Sequence, residues 1–318
     1  MEQFDLTELQ ARSAMPEQWW PDVERVATHK SWRALRDEFI SAVAAAFSKW
    51  ITADQAHFRD QLYFAAGRLD EGAALVRLFA ISGSLGHSAD VLDIGAGNGG
   101  VAFAFANCRT NRVTTLDIVP NPQLRECRNA LHLPLESVVG DGGRLPFADA
   151  SFDIVLLFDV FEHLAQPEAV GREVMRVLRP GGVCLVTTPA RFTRLFKPDP
   201  HYGIRGLLLF PNEVQRFIVN RIFRRRIRRS DGQLQDAYDV EHTYWHAREV
   251  AKHFPGPKVV DVLYKRQFKA PGSLRALLRR PMGTLEQLRF ELRFFQFEHL
   301  LIYKEQRPAG IVQFDPLI

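Results

Sequence analysis

Ten residues, Val91-Leu92-Asp93-Ile94-Gly95-Ala96-Gly97-Asn98-Gly99-Gly100, constrain this chain more than any others. An apolar run enters them and reads as a buried strand. Four glycines follow within six residues, and the apolar run Val101 to Ala106 leaves them as a helix. Strand, glycine turn, helix is the form of a first crossover that holds a nucleotide-like ligand. Glycine lets the backbone turn tightly and approach a ligand where a Cβ would clash. The helix start then presents unpaired N–H groups to that ligand.

Glycines alone do not decide the ligand, but two further stretches narrow it. Val113-Thr114-Thr115-Leu116-Asp117 is a β-rich run that ends in an acid about twenty residues after the glycines, where a carboxylate can accept hydrogen bonds from a ribose diol. Gly140-Asp141 then precedes Leu145-Pro146-Phe147 and the apolar run Phe152 to Phe158. With Glu162-His163-Leu164 and Leu178-Arg179-Pro180-Gly181-Gly182, these segments resemble the class I S-adenosylmethionine-dependent methyltransferases, and within them the methyltransferase type 11 group. The resemblance covers about residues 88 to 190. A nicotinamide dehydrogenase is the nearest rival, because Gly95, Gly97 and Gly100 also satisfy G-x-G-x-x-G. The Gly140-Asp141 and Leu178–Gly182 segments favour the methyltransferase.

The resemblance implies S-adenosyl-L-methionine as cofactor. It places Gly95 and Gly97 against the methionine part, Asp117 at the ribose and Asp141 at the adenine amine, and it implies that Asp93, Ala96, Asn98, Ile118, Gly142 and Asp159, at the end of the run Phe152 to Phe158, also border the cofactor. His163 follows that strand, next to the expected methyl position, and its near-neutral pKa suits a base. Asp159-x-x-Glu162-His163 also resembles the metal-binding segment of the polyprenyl-hydroxybenzene O-methyltransferases, but Asp159 stands where those have Glu, and no metal is assigned. Pro200-His201-Tyr202-Gly203 resembles a Pro-His loop of methyltransferases that modify surface glycans and lipids. It makes His201 the second candidate base and Tyr202 a substrate contact, beside Glu162 and Arg68. His242, Tyr244 and His246 form a further polar cluster.

Alternating strands and helices predict an α/β fold with a doubly wound, mostly parallel sheet, and the resemblance implies its Rossmann-like, seven-stranded form with an antiparallel last strand. Residues 1–88 read as an N-terminal helical cover, with helices over 31–51, 56–64 and 71–81 by apolar spacing. Residues 89–189 form the cofactor-binding core. Residues 190–245 interrupt it with a basic amphipathic helix over about 211–229, which reads as a lid or a membrane-surface element. Residues 246–318 complete the fold around an inserted helical hairpin at 267–296.

Hydrophobic residues make up 46% of the 318, enough for a large core, and net charge is +4. The three cysteines are widely spaced and odd in number, so neither a disulfide framework nor zinc spacing is expected and a reducing compartment is. The first residues lack a basic start and an apolar stretch, and no apolar run reaches membrane-spanning length. A cytoplasmic location follows as an expectation, with peripheral contact to an anionic membrane surface. The expected acceptor is a small molecule or glycan, with a sugar or lipid-linked hydroxyl as the sharper reading. RNA or protein methylation, or a non-catalytic binding subunit, is the alternative; nucleic acid is the less favoured partner, because no stacking-aromatic module accompanies the arginines.

Overall fold

The computed structural model describes residues 19–49, 55–81, 88–108, 112–189, 204–207, 210–224, 226–228, 234–236, 247–263 and 297–305, with residues 6, 15 and 202. Strands β1 (Asp90–Ile94), β2 (Arg112–Asp117), β3 (Leu135–Val139), β4 (Phe152–Leu157) and β5 (Leu178–Pro189) pair in parallel. A short hairpin, β6 (Arg226–Arg228) and β7 (Leu234–Asp236), stands apart. With β8 (Lys258–Leu263) and β9 (Phe297–Lys304) the main sheet has seven strands in the order β3-β2-β1-β4-β5-β9-β8, and only β9 runs antiparallel to its neighbours.

The central strands are apolar on both faces because both faces are covered. Val91, Ile154, Leu156, Val183, Leu185, Leu301 and Tyr303 face one core. Their chain neighbours Leu92, Val155, Leu157, Cys184, Val186, Leu300 and Ile302 face another. The period-two alternation of the strand thus divides one apolar run between two cores. Helices α1 (Trp20–Val26), α2 (Trp32–Ser48), α3 (Gln55–Ile81), α4 (Gly100–Ala106) and α5 (Pro122–Leu131) supply the first core. Helix α6 (Pro167–Val177) and the turn through Phe254 supply the second. No helix of the described residues is long and apolar enough to cross a membrane.

At the sheet's amino edge Arg112 and Arg179 both bind Asp90, and Arg179 also binds Asp153, tying β1, β2, β4 and β5 together. The Pro180-Gly181-Gly182 turn is an excursion within β5, where pairing to β4 jumps from Phe152–Leu178 to Ile154–Val183. Gly181 takes a φ of 77° there.

Two elements differ from the sequence reading. The separate helices expected over 56–64 and 71–81 are one continuous helix, α3. Arg68, Asp70 and Glu71 interrupt its apolar pattern, but they are buried as ion pairs rather than turned to water. Arg36 of α2 donates to Asp70 at 3.1 Å, and Arg68 donates to Glu71 at 2.9 Å. The basic helix expected over 211–229 is also corrected. Helix α7 (Asn212–Phe217) passes into a π turn over Ile218–Ile222, which Phe223 N closes on Ile218 O. Arg224 then takes a φ of 50°, which a helix cannot continue, and β6 begins two residues later. β-Branched Ile218, Val219 and Ile222 are poor helix formers, so the arginines leave the helix for a turn and a hairpin. The expected hairpin at 267–296 lies outside the described residues.

Candidate active site at the carboxyl edge of the sheet

β1 delivers the chain to the sheet's carboxyl edge, where Gly95 N donates to Leu116 O at 2.7 Å. Gly95, Gly97 and Gly99 all take positive φ, at 72°, 54° and 81°. A Cβ at Gly95 would lie 2.5 Å from Val160, so that glycine is required by packing as well as by φ. At Gly97 nothing lies within 4 Å of the same position, and the backbone there borders open space. Asn98 Oδ1 accepts from Gly100 N at the start of α4. Asn121, which the sequence reading missed, donates to Gly97 O at 2.5 Å and caps α5 by accepting from Leu124 N at 2.9 Å. Asn before Pro at a helix start was the available signal.

A cavity of about 180 Å³ opens over this turn. It gathers seven of the predicted residues: Asp93, Gly95, Ala96, Gly97, Asn98, Asp159 and Arg68. Gly100, Val101, Phe64 and Phe158 complete the wall, and neither phenylalanine was predicted. The Arg68 guanidinium lies between their rings, 4.7 and 4.8 Å from the centroids. Phe64 stands one turn before Arg68 on α3, the i, i+4 spacing that places two side chains on one face. Arg68 also pairs with Asp159 across the cavity wall. Asp159 in turn is fixed by Thr187: its N–H donates to Thr187 Oγ1 at 2.7 Å, and that hydroxyl donates back to Asp159 Oδ1 at 2.9 Å. Asp159 holds a φ of 54°, unusual for a residue with a side chain and of the kind that clusters at functional sites.

The remaining predicted residues that the structure describes do not line the cavity. Asp117 ends β2, and its Oδ1 accepts from Ile118 N at 2.9 Å. Ile118 beside it is 70% exposed. Asp141 is exposed and accepts from Gly143 N at 2.8 Å. A Cβ at Gly142 would stand 3.4 Å from Ile94, which puts that glycine beyond the end of β1. Glu162 is buried in the single 3-10 turn after β4, and His163 on the same turn is exposed. Tyr202 is buried in a separate small cluster with Leu207 and Val219. His201 and the 242–246 cluster lie outside the described residues.

Burial dominates the electrostatics. It pushes the Asp93 carboxyl up to about 8, with the Asp117 charge adding and Arg68 opposing. It likewise pushes Glu162 up to about 8, with Asp159 adding. Burial alone would lower the Arg68 pKa, yet Asp159 and Glu71 hold it above its ordinary value, so it stays charged. The site therefore combines an open glycine backbone, one fixed cation, and acids at β1, β2 and β4. This donor set fits a cofactor that carries a ribose diol, an amine and a carboxylate. Among the described residues no group of three or more His, Cys, Asp or Glu is placed to hold a metal ion.

Comparison with known proteins gives the same domain. Residues 92–186 match a family model described as a methyltransferase domain. An uncharacterized methyltransferase of Mycolicibacterium gilvum is 37% identical over 110 residues, 34% of this chain and 42% of that protein. One from Mycolicibacterium vanbaalenii is 40% identical over 101 residues, 30% of this chain and 38% of that protein. The chain thus spans only about two fifths of these curated relatives. A solved S-adenosylmethionine dependent methyltransferase from Mesorhizobium loti superposes with a TM-score of 0.43 at 15% identity, over 74% of this chain and 99% of that one. The segment built on the β1 glycine turn is a methyltransferase domain of the class I S-adenosylmethionine-dependent family.

Proposed function

We propose that the chain transfers a methyl group from S-adenosyl-L-methionine to a small molecule or glycan, with a hydroxyl of a sugar or lipid-linked substrate as acceptor. One observation carries the reading: the β1 glycine turn leaves the Gly97 backbone open to a cavity whose wall holds Asp93, Asp159 and Arg68. When bound, the cofactor supplies a methyl already activated on a sulfonium. Asp117 accepts the ribose hydroxyls, and Ile118, Asp141 and Gly142 form the adenine ledge. Gly95 to Asn98 leave room for the methionine end. With the methyl activated, the protein's main task is to hold the acceptor in line with it. Arg68 is a fixed cation for an acidic group on the acceptor, and the flanking phenylalanines keep it oriented.

A hydroxyl acceptor must also lose a proton. Glu162 is a poor base near neutrality, because burial and the Asp159 charge keep it protonated up to about pH 8. That role falls to His163 or His201. The test is methyl transfer from labelled S-adenosylmethionine into a cell extract separated into lipid, soluble glycan and metabolite, RNA and protein. Label in lipid or glycan that disappears with His201→Ala, while cofactor binding persists, supports the reading with His201 as base. Loss with His163→Ala instead moves the base to His163. Label in RNA or protein overturns the acceptor class and leaves the cofactor site intact.

A further inference from the structure

The segment that follows β5 carries a surface the methyl-transfer site does not use. Phe210, Val214, Phe217, Ile222 and Phe223 are 39 to 60% exposed, and they are half of the large apolar side chains that stand exposed among the described residues. Their exposure is not a missing core. The same element already has a packed inner face: Gln215 and Val219 are fully buried, Val219 with Tyr202 and Leu207, and Gln215 Nε2 donates to Phe210 O at 2.7 Å. The outer row therefore projects from an element that is anchored without it.

Charge accompanies that row. Residues 205–229 contain eight arginines, no lysine and one acid, Glu213, a net of +7. The whole chain carries +4, so all other residues together carry −3. Arg205, Arg221 and Arg224 are exposed beside the apolar row, and β6 carries Arg226 and Arg228. The basic excess of the protein is thus confined to the segment with its exposed apolar ridge. The segment leaves the sheet at Pro189, the carboxyl end of β5 and the edge that bears the cavity.

We propose that the ridge from Phe210 to Arg224 docks the protein on an anionic lipid surface, its apolar side chains entering the headgroup region and its arginines meeting lipid phosphates. Apolar residues ringed by arginine are the composition of interfacial membrane elements, and basic residues near an anionic leaflet add electrostatic attraction to it. A second copy of the chain fits worse, because a two-fold contact would set +7 against +7. RNA fits worse as well: Val214 and Ile222 have no flat face on which a base could stack. The proposal is independent of which acceptor is methylated.

Flotation of the full chain with phosphatidylcholine vesicles, with and without phosphatidylglycerol, tests it. Binding is expected only with phosphatidylglycerol, and it weakens as salt rises. Phe217→Ser with Ile222→Ser, and separately Arg221→Gln with Arg224→Gln, should each lower vesicle affinity by roughly tenfold or more, with the melting temperature unchanged. Three results would overturn the proposal: no flotation, flotation that neither double variant alters, or a shift from vesicles to RNA in competition. A wild-type dimer in sedimentation that Phe217→Ser dissolves would also overturn it, in favour of self-association. Cofactor binding measured on the same samples separates failure of the ridge from failure of the methyltransferase reading.

Discussion

Asp117 ends β2, where its carboxylate accepts from the N–H of Ile118 and, among the described residues, joins no ion pair. Asp117→Ala should weaken S-adenosylmethionine binding by about 1–3 kcal/mol in calorimetry while melting stays as in the native protein. Glu162 predicts a pH dependence of stability. Its pKa rises from 4.5 to about 8, first through burial and then through Asp159, and its Oε2 has no hydrogen-bond partner among the described residues. Between those values the folded chain keeps a proton that the unfolded chain has released. The Glu162 contribution to stability is therefore full below about pH 4.5 and is lost as pH rises to about 8, by of order 1 kcal/mol per pH unit. Glu162→Gln should flatten that fall in urea titrations at several pH values; an unchanged slope would mean that Glu162 ionises normally. Some slope should survive in the variant, because Asp93 is shifted in the same direction. At this scale the sequence was most legible where a motif fixes position, as at Gly95, Gly97 and Asp159. It was least legible for Phe64 and Phe158, since an apolar residue in a helix or strand carries no mark of the cavity it borders.

Close approach between elements sets the next scale. A Cβ at Gly171 of α6 would stand 2.0 Å from the His253 carbonyl oxygen, a backbone atom that cannot swing aside. Gly171→Ala should cost about 1–3 kcal/mol in chemical denaturation through overpacking, more than the helix propensity gained. At Gly72, where α3 crosses α4, an added Cβ would meet Val101 Cα and Ala104 Cβ, both at 2.8 Å. Element type was readable wherever apolar period and burial agree. α4 and β2 begin within one residue of the runs expected for them and end where those runs end. The reading failed where burial and apolarity part company. Charged Arg68, Asp70 and Glu71 made α3 look broken, because ion pairs inside a core are invisible to a hydropathy pattern. The arginines after Phe223 looked helical because periodicity cannot register a π turn or a residue of positive φ.

At the scale of the molecule, the mostly parallel, doubly wound sheet was legible from the alternation of strand and helix, and the antiparallel last strand came with the family resemblance. Beyond β5 the reading held in part: residues 246–318 do complete the sheet through β8 and β9, while the basic helix expected over 211–229 gives way to a π turn and β6. Strand β9 sits between β5 and β8 and pairs with β5 from Val183 to Pro189. A chain ended at residue 256 would retain the matched domain and every cavity residue, yet it would expose the apolar edge of β5. It should express insoluble, or lose its near-UV circular dichroism and cofactor binding together. The same strand imposes an order in time. Residues 297–304 are made more than a hundred residues after the β5 edge they cover. During synthesis the nascent sheet must wait with an open, hydrogen-bond-hungry margin until they emerge. The nascent chain is therefore a natural client for chaperones, and its yield should track the speed of translation through the intervening stretch.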